Sequence, residues 1–415
     1  MPKGFFYLIS AQFASGLADN ALLILGIAFL SEQGYPGWWA PLLKFSFTLS
    51  YVFLAPLLGP LADAVSKSKL MAAMNALKVI GVATFFTGIH PVVSYAIVGM
   101  AASAYAPAKY GLITETVPSH RLVNANGWLE VTVVLTVIFG TACGGLLLLA
   151  RDLHWMLSLN HWVTDQLGLA LKTQLVSPLL CLIVIYGIAA FLNFGIPPSH
   201  AVYTQKSFHP VSMLQDFIAS NLKLWLDPIA RISLSVTTLF WGIGAVVQFA
   251  VLLWAQQVIN IPLEQGTFLQ AIVAVGVIAG AAIAGRWINL RFALFALPLG
   301  VILGLSLPAI AYSSSLTSAI PLMLLTGAAG GLLMVPMNAL LQHRGYELLT
   351  AGRSIAVQGF NENASVLLML GIYSGLLAVA VPLKFIMTVL GGAMAISMLV
   401  LTWTIRHEYK SLVRS

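Results

Sequence analysis

Apolar residues run through this chain in long, nearly unbroken blocks with short polar breaks between them. Twelve blocks can be marked, at about 5–30, 41–62, 70–89, 92–113, 122–149, 174–196, 231–257, 268–285, 292–312, 321–342, 353–378 and 384–405. Each is about 20 residues or longer, which as a helix rising 1.5 Å per residue crosses the hydrocarbon of a bilayer. The apolar positions are continuous rather than alternating, so a transmembrane β-barrel is not expected. The first block has no small-residue cleavage site behind a short apolar core, and it reads as a retained helix. The expected class is an all-α membrane protein with twelve transmembrane helices.

The longest break follows the sixth block and divides the chain into 1–196, a linker at 197–230, and 231–415, with six blocks on each side. Within the linker, VSMLQDFIASNLKLW places Leu214, Phe217, Ile218, Leu222 and Trp225 on one predicted helical face, which suits an amphipathic helix lying on a membrane surface. RDLHWMLSLNHWVTDQL, with Trp155, Leu159, Trp162 and Val163, is a second such candidate. The halves also repeat. Arg121, Gly127 and Glu130 match Arg353, Gly359 and Glu362 at one constant offset, and Pro107 precedes the first set as Pro336 precedes the second. Matched polar positions in matched blocks point to two six-helix pseudo-repeat halves.

Composition narrows the class. The 415 residues are 59% hydrophobic and 8% charged, against about a quarter charged in a soluble domain. The net charge of +7 therefore reports orientation rather than nucleic-acid binding. Lys3, Lys67, Lys69, Arg121, Lys206, Lys223, Arg231, Arg286, Arg291, Arg344, Arg353, Arg406, Lys410 and Arg414 fall on one side; Lys44, Arg151, Lys172 and Lys384 fall on the other. The positive-inside rule then places both termini in the cytoplasm. The two cysteines, Cys143 and Cys181, lie inside blocks and form no disulfide framework. The eight histidines sit in loops or at helix ends without metal-ligand spacing. GTACGG and GAAGG are helix-packing strings rather than phosphate loops, and no Walker motif is present. Neither an enzyme nor a cofactor is expected.

Ionisable groups at membrane depth are costly and are functional candidates by default. Asp19, in GLADNALL, is the deepest, and Asn20 points about 100° away from it on a helix. Glu130 and Glu362 lie short of the midplane near Arg121 and Arg353, where pairing that locks the halves together is the expected role. Lys109 either reaches the headgroups or faces cargo. Lys78 sits in the middle of the third block beside Asn75.

GPLADAVSKSKL carries Gly59, Asp63, Lys67 and Lys69 after the second block. Together with the six-plus-six repeat and its central linker, it resembles the major facilitator superfamily, whose halves rock about a midplane site. That resemblance implies that Asp63 engages a helix N-terminus of the opposite half. The matching loop after the eighth block, GAAIAGRWINLR, lacks the Asp, so the contact is expected on one side only. It further implies that the first, fourth, seventh and tenth spans line a central cavity, bringing Asp19, Asn20, Tyr105, Lys109, Trp241, Gln248 and Asn338 toward one volume. The third span faces lipid in this layout, so Lys78 is expected to be structural or to reach the interface.

AQFASGLADNALL, SAYAPAKYGLITE, NANGWLE, LFWGIGAVVQF, VPMNALLQHRG and AVQGFNENASVLLMLGIYS together resemble the bacterial lysophospholipid transporters, in order along nearly the whole chain. The resemblance implies flipping of lysophosphatidylethanolamine, lysophosphatidylglycerol and lyso-cardiolipin from the outer to the inner leaflet of the inner membrane. It also implies a monomer working beside an acyltransferase–acyl-carrier-protein synthetase that re-acylates the cargo. The family pattern carries a basic residue where this chain has Gln248, so the partner of Asp19 is open, with Lys109 one candidate. The alternative reading is a proton-coupled exporter of drugs or small amphipathic solutes, with Asp19 carrying the proton.

Overall fold

A computed structural model describes residues 3–35, 39–167, 173–197, 199, 210–261 and 263–414. Lys172 and Lys206, used above for orientation, lie outside the described residues. The described chain is helical: α1 (Lys3–Glu32), α2 (Trp39–Phe53), α3 (Ala55–Ala64), α4 (Lys67–Ala83), α5 (Pro91–Thr116), α6 (Leu122–Ala150), α7 (His154–Leu167), α8 (Val176–Phe194), α9 (Pro210–Leu226), α10 (Pro228–Gln257), α11 (Leu263–Trp287), α12 (Pro298–Ala311), α13 (Leu316–Leu348), α14 (Ala351–Ala378) and α15 (Leu383–Arg414). Among the described residues ten helical segments are long and apolar enough to cross a membrane, and α2 with α3, bent by 65°, makes an eleventh if the pair counts as one span. The bend falls where Pro56, at the start of α3, removes a backbone donor and breaks the run. The twelfth expected span, 353–378, is also one helix, α14, but it carries Asn361, Glu362 and Asn363 and is not among the segments apolar enough to cross. α7 and α9 are the two short amphipathic segments expected outside the spans.

Contacts divide the chain into two compact units that differ from the two sequence halves. Unit 1 comprises 1–116, 132–221 and 349–360; unit 2 comprises 117–131, 222–348 and 361–415. The short stretches that depart from their own halves contain the repeated Arg121–Glu130 and Arg353 positions. The boundary near the linker falls inside α9.

In unit 1 the core joins α1, α5 and α8 through Leu22, Leu25, Phe29, Tyr95, Leu179, Leu182 and Tyr186, all fully buried. Unit 2 has two such clusters among the described residues. One is built around Trp254, Met323 and Met387, the other around Val236, Leu333, Met337 and Met398. Lipid is as apolar as these side chains, so helix association rests on close packing rather than on water exclusion. GAAGG supplies it in unit 2. A Cβ on Gly327 of α13 would fall on the carbonyl of Val273 in α11, and one on Gly280 of α11 would fall on the carbonyl of Ala328 in α13. Outward, Leu149, Phe191, Phe194 and Phe295 are exposed, as helices in hydrocarbon require.

α10 starts at a built cap. Asp227 accepts a bond from Ala230 N–H at 2.9 Å, Pro228 follows it, and Arg344 of α13 holds the same carboxylate at 2.8 Å. Burial opposes ionisation of Asp227, but the hydrogen bonds from Arg344 and Ala230 outweigh it and hold the carboxyl below the usual carboxylate range.

Candidate functional site

Asp19 lies just past the middle of α1, with Ala18, Ala21 and Leu22 fully buried beside it. A bare carboxylate there would cost several kcal/mol, and unit 1 supplies its partners. Lys78 Nζ of α4 donates to one carboxylate oxygen at 2.7 Å, and the Tyr186 hydroxyl of α8 donates to the other at 2.7 Å. Tyr95 OH of α5 reaches the backbone carbonyl of Asp19 at 3.4 Å. Lys78 also donates to Ser15 Oγ at 2.9 Å, and Ser15 donates to Asn75 Oδ1 at 2.7 Å. The Lys78 ammonium stands 5.4 Å from the centre of the Tyr105 ring and 5.5 Å from that of Tyr186, within cation–π reach. Four helices thus converge on one ion pair.

This corrects two expectations. Lys78 does not face lipid or an interface; it is buried and is the counter-charge of Asp19. Lys109 is not that partner. It lies one turn beyond Tyr105, buried, with its ammonium 4.3 Å from the Tyr110 ring centre. Asn20 turns away from Asp19, as helical geometry demands, and donates to Gly16 O at 2.8 Å. Trp241, Gln248 and Asn338 belong to unit 2. There Trp241 packs edge-to-face on Phe240, Gln248 is exposed and accepts Gln270 on its backbone carbonyl at 3.1 Å, and Asn338 is buried.

The GPLAD motif builds a second polar cluster in unit 1. Asp63, near the end of α3, accepts the Gly352 N–H at 3.0 Å and the Thr350 hydroxyl at the start of α14, whose first N–H groups lack partners within the helix. Gly59 lets the chains approach: a Cβ there would lie 2.8 Å from Arg353 Cα. Lys67 pairs with Glu115 of α5 at 2.6 Å, both side chains almost fully buried, and stands 4.0 Å from Asp63. The corresponding Asn289 in unit 2 is exposed and makes no side-chain hydrogen bond among the described residues.

The glutamate–arginine pairing expected around the repeated positions is not what the arginines do. Arg353 pairs with Asp216 of α9 at 3.5 Å, because the linker helix brings a carboxylate to it. Arg121 is exposed and makes no ion pair among the described residues, while Glu130 is buried and Glu362 half-buried. Within unit 2, Asn126 and Gln342 instead exchange two side-chain bonds at 2.9 and 2.8 Å. Tyr186, Ser15, Thr350 and Glu115 carried no sequence signal beyond being polar in apolar surroundings. Among the described residues no group of His, Cys, Asp and Glu could hold a metal ion.

Residues 5–361 match the Major Facilitator Superfamily. The lysophospholipid transporter LplT of Yersinia enterocolitica is 37% identical over 383 residues, covering 92% of this chain and 89% of that protein. LplT of Photorhabdus laumondii is 38% identical over 383 residues, covering 92% and 90%. Among solved structures, the human organic anion transporter MFSD10 has a TM-score of 0.74 at 13% identity, covering 97% of this chain and 100% of its own. The transporter FucP in the outward conformation has a TM-score of 0.71 at 15% identity, covering 96% and 98%. Those two share the fold; the LplT proteins share the sequence as well. The chain belongs to the major facilitator superfamily and, within it, to the family of the lysophospholipid transporter LplT.

Proposed function

We propose that this protein moves lysophospholipids from the outer to the inner leaflet of a bacterial inner membrane by alternating access. The cargo is lysophosphatidylethanolamine, lysophosphatidylglycerol or lyso-cardiolipin, delivered to an acyltransferase–acyl-carrier-protein synthetase for re-acylation. The protein works as a monomer with both termini in the cytoplasm. The observation that supports the reading is the Asp19–Lys78 pair: an ion pair at membrane depth, with Asp19 still partly accessible, suits a cargo with a charged head and an apolar tail. Asp19, Asn20, Tyr105 and Lys109 are the cargo-facing candidates of unit 1, and Trp241, Gln248 and Asn338 those of unit 2. The contact of Asp63 with Thr350 and Gly352, with Gly59, Lys67 and the region of Arg121, Glu130, Arg353 and Glu362, is the proposed gate.

The test is a leaflet-resolved assay with purified protein in liposomes. Labelled lysophosphatidylethanolamine should cross far faster than in protein-free liposomes, and Asp19→Asn at equal protein should slow it. Export of cationic drugs under a proton gradient without any lysolipid movement would establish the exporter reading instead.

A further inference from the structure

Three arginines of unit 2 meet at one corner of the fold. Asn124, in the first turn of α6, donates to Gly285 O near the end of α11 at 2.9 Å. Gly127 permits that approach: a Cβ on it would lie 3.0 Å from Gly285 Cα. Arg121 ends the short helical turn just before α6, and Arg286 follows Gly285 directly. The turn Ser119–Arg121 packs in its turn on the short helix Leu290–Ala296, which carries Arg291. Arg121, Arg286 and Arg291 are thus gathered from three segments. All three are exposed, and none makes an ion pair or a hydrogen bond among the described residues.

The matched corner of unit 1 is neutralised from within. There Gly59 lies against Arg353, Asp63 follows four residues later, and Arg353 has Asp216. Here Gly285 lies against Asn124 and Gly127, and four residues later stands Asn289. Arg121, the repeat partner of Arg353, has no carboxylate among the described residues. Asp227 and Glu347, at the same end of unit 2, are both taken by Arg344. The arginines stand at headgroup depth, close to the ends of the crossing segments Ser119–Ala150, Leu269–Trp287 and Leu290–Ala311. Trp287, Phe292 and Phe295 are exposed among them, so the basic corner is continuous with the apolar surface that faces hydrocarbon. Guanidinium forks hold phosphate oxygens in pairs, aromatic rings seat at headgroup level, and basic sites between helices on the cytoplasmic side suit anionic headgroups. A soluble acidic protein would have to cover rings that already face lipid, which favours lipid as the occupant.

We propose that this corner binds an anionic phospholipid of the cytoplasmic leaflet, whose phosphate supplies the counter-charge that Asp63 and Asp216 supply in unit 1. The lipid is a resident of the bilayer, distinct from the cargo, and it steadies α6 on α11. The proposal rests on the orientation given above and not on the identity of the cargo.

Native mass spectrometry of the protein released from detergent with equal amounts of diacyl phosphatidylglycerol and diacyl phosphatidylcholine tests this. Wild type should retain the glycerol lipid about a hundredfold over the choline lipid, about fivefold for each arginine. Arg286→Gln should lower the preference about fivefold, and Arg121→Gln, Arg286→Gln and Arg291→Gln together should abolish it. Asn289→Asp removes no side chain's bulk and adds a carboxylate beside Arg286 and Arg291. It should lower the preference about fivefold, and it decides the matter if the triple variant does not fold. Equal retention of the two lipids by wild type overturns the site and leaves the corner to an acidic protein. A preference unmoved by these variants overturns it as well. Displacement of the bound lipid by inorganic phosphate would assign the corner to a free anion instead. A cysteine at Ser119 labelled only from outside would overturn the assignment to the cytoplasmic leaflet.

Discussion

At the residue scale the molecule keeps charges in apolar surroundings by giving each a dedicated partner. Asp19 has Lys78 and Tyr186; Lys67 has Glu115 at 2.6 Å, with Asp63 4.0 Å away. Removing one member of a buried pair strands the other, at about 3–5 kcal/mol. Glu115→Gln should therefore lower the melting temperature in detergent by several degrees, with Asp63 keeping the loss toward the lower figure. Lys67→Met combined with Glu115→Met should recover much of it, because an apolar pair of similar volume has no charge to desolvate. Equal melting of wild type and Glu115→Gln would show that the pair does not matter to stability. Asp63→Asn differs, since its amide oxygen can still accept from Gly352. Lost are the attraction to the helix N-terminus, about 1 kcal/mol, and that to Lys67 at 4.0 Å, while the Thr350 hydroxyl must turn to accept from the new amide instead of donating. With a cysteine at Leu349 on a background free of Cys143 and Cys181, a water-soluble maleimide should then label about fivefold faster. An unchanged rate would remove Asp63 from the gate.

At the element scale, packing decides what pattern leaves open. The face expected on α9 splits in two. Leu214, Ile218 and Leu222 are exposed together with Val211 and Leu226. Phe217 instead packs edge-to-face on Phe360 at 5.2 Å, and Trp225 donates to Asn361 at 3.2 Å. A helix that is apolar on two sides can rest on lipid with one and on protein with the other, and hydropathy alone cannot separate them. Helix contacts offer a cleaner test. Gly280→Ala puts a methyl onto the carbonyl of Ala328, and overpacking of this kind costs about 1–3 kcal/mol. Gly392→Ala, in α15, meets nothing within 4 Å and gains helix propensity. The first should lower the melting temperature while the second leaves or raises it. Equal shifts would mean that α11 and α13 are not held at glycine distance.

At the scale of the whole molecule the two compact units do not follow the two sequence halves. The stretches 117–131 and 349–360, which carry matched positions of the repeat, are those that join the other compact unit. Orientation in the membrane is the further expectation at this scale. A tag after Ser415 should be reached only from the cytoplasm, while a cysteine at Ser158 on α7 should be labelled only from outside. Cytoplasmic labelling at Ser158 would refute the two-half topology.

The sequence by itself determined the solvent, the helices and the family. Each of these depends on local runs: twenty apolar residues need no distant neighbour to require a bilayer, and strings such as GLADNALL and PAKYG are read residue by residue. It also marked Asp19 and Lys78 as charges out of place, because that judgement needs only the apolar residues around each. That they belong to each other was decided by the tertiary structure alone. The two are 59 positions apart on different helices, and the spin of α4 about its axis, which turns Lys78 toward α1 rather than lipid, is set by its packing against α5 and α8. The same holds for Arg353 and Asp216. A residue's chemistry is local, but its partner is chosen by how helices of similar apolar surface pack, and composition along a single helix does not encode that choice.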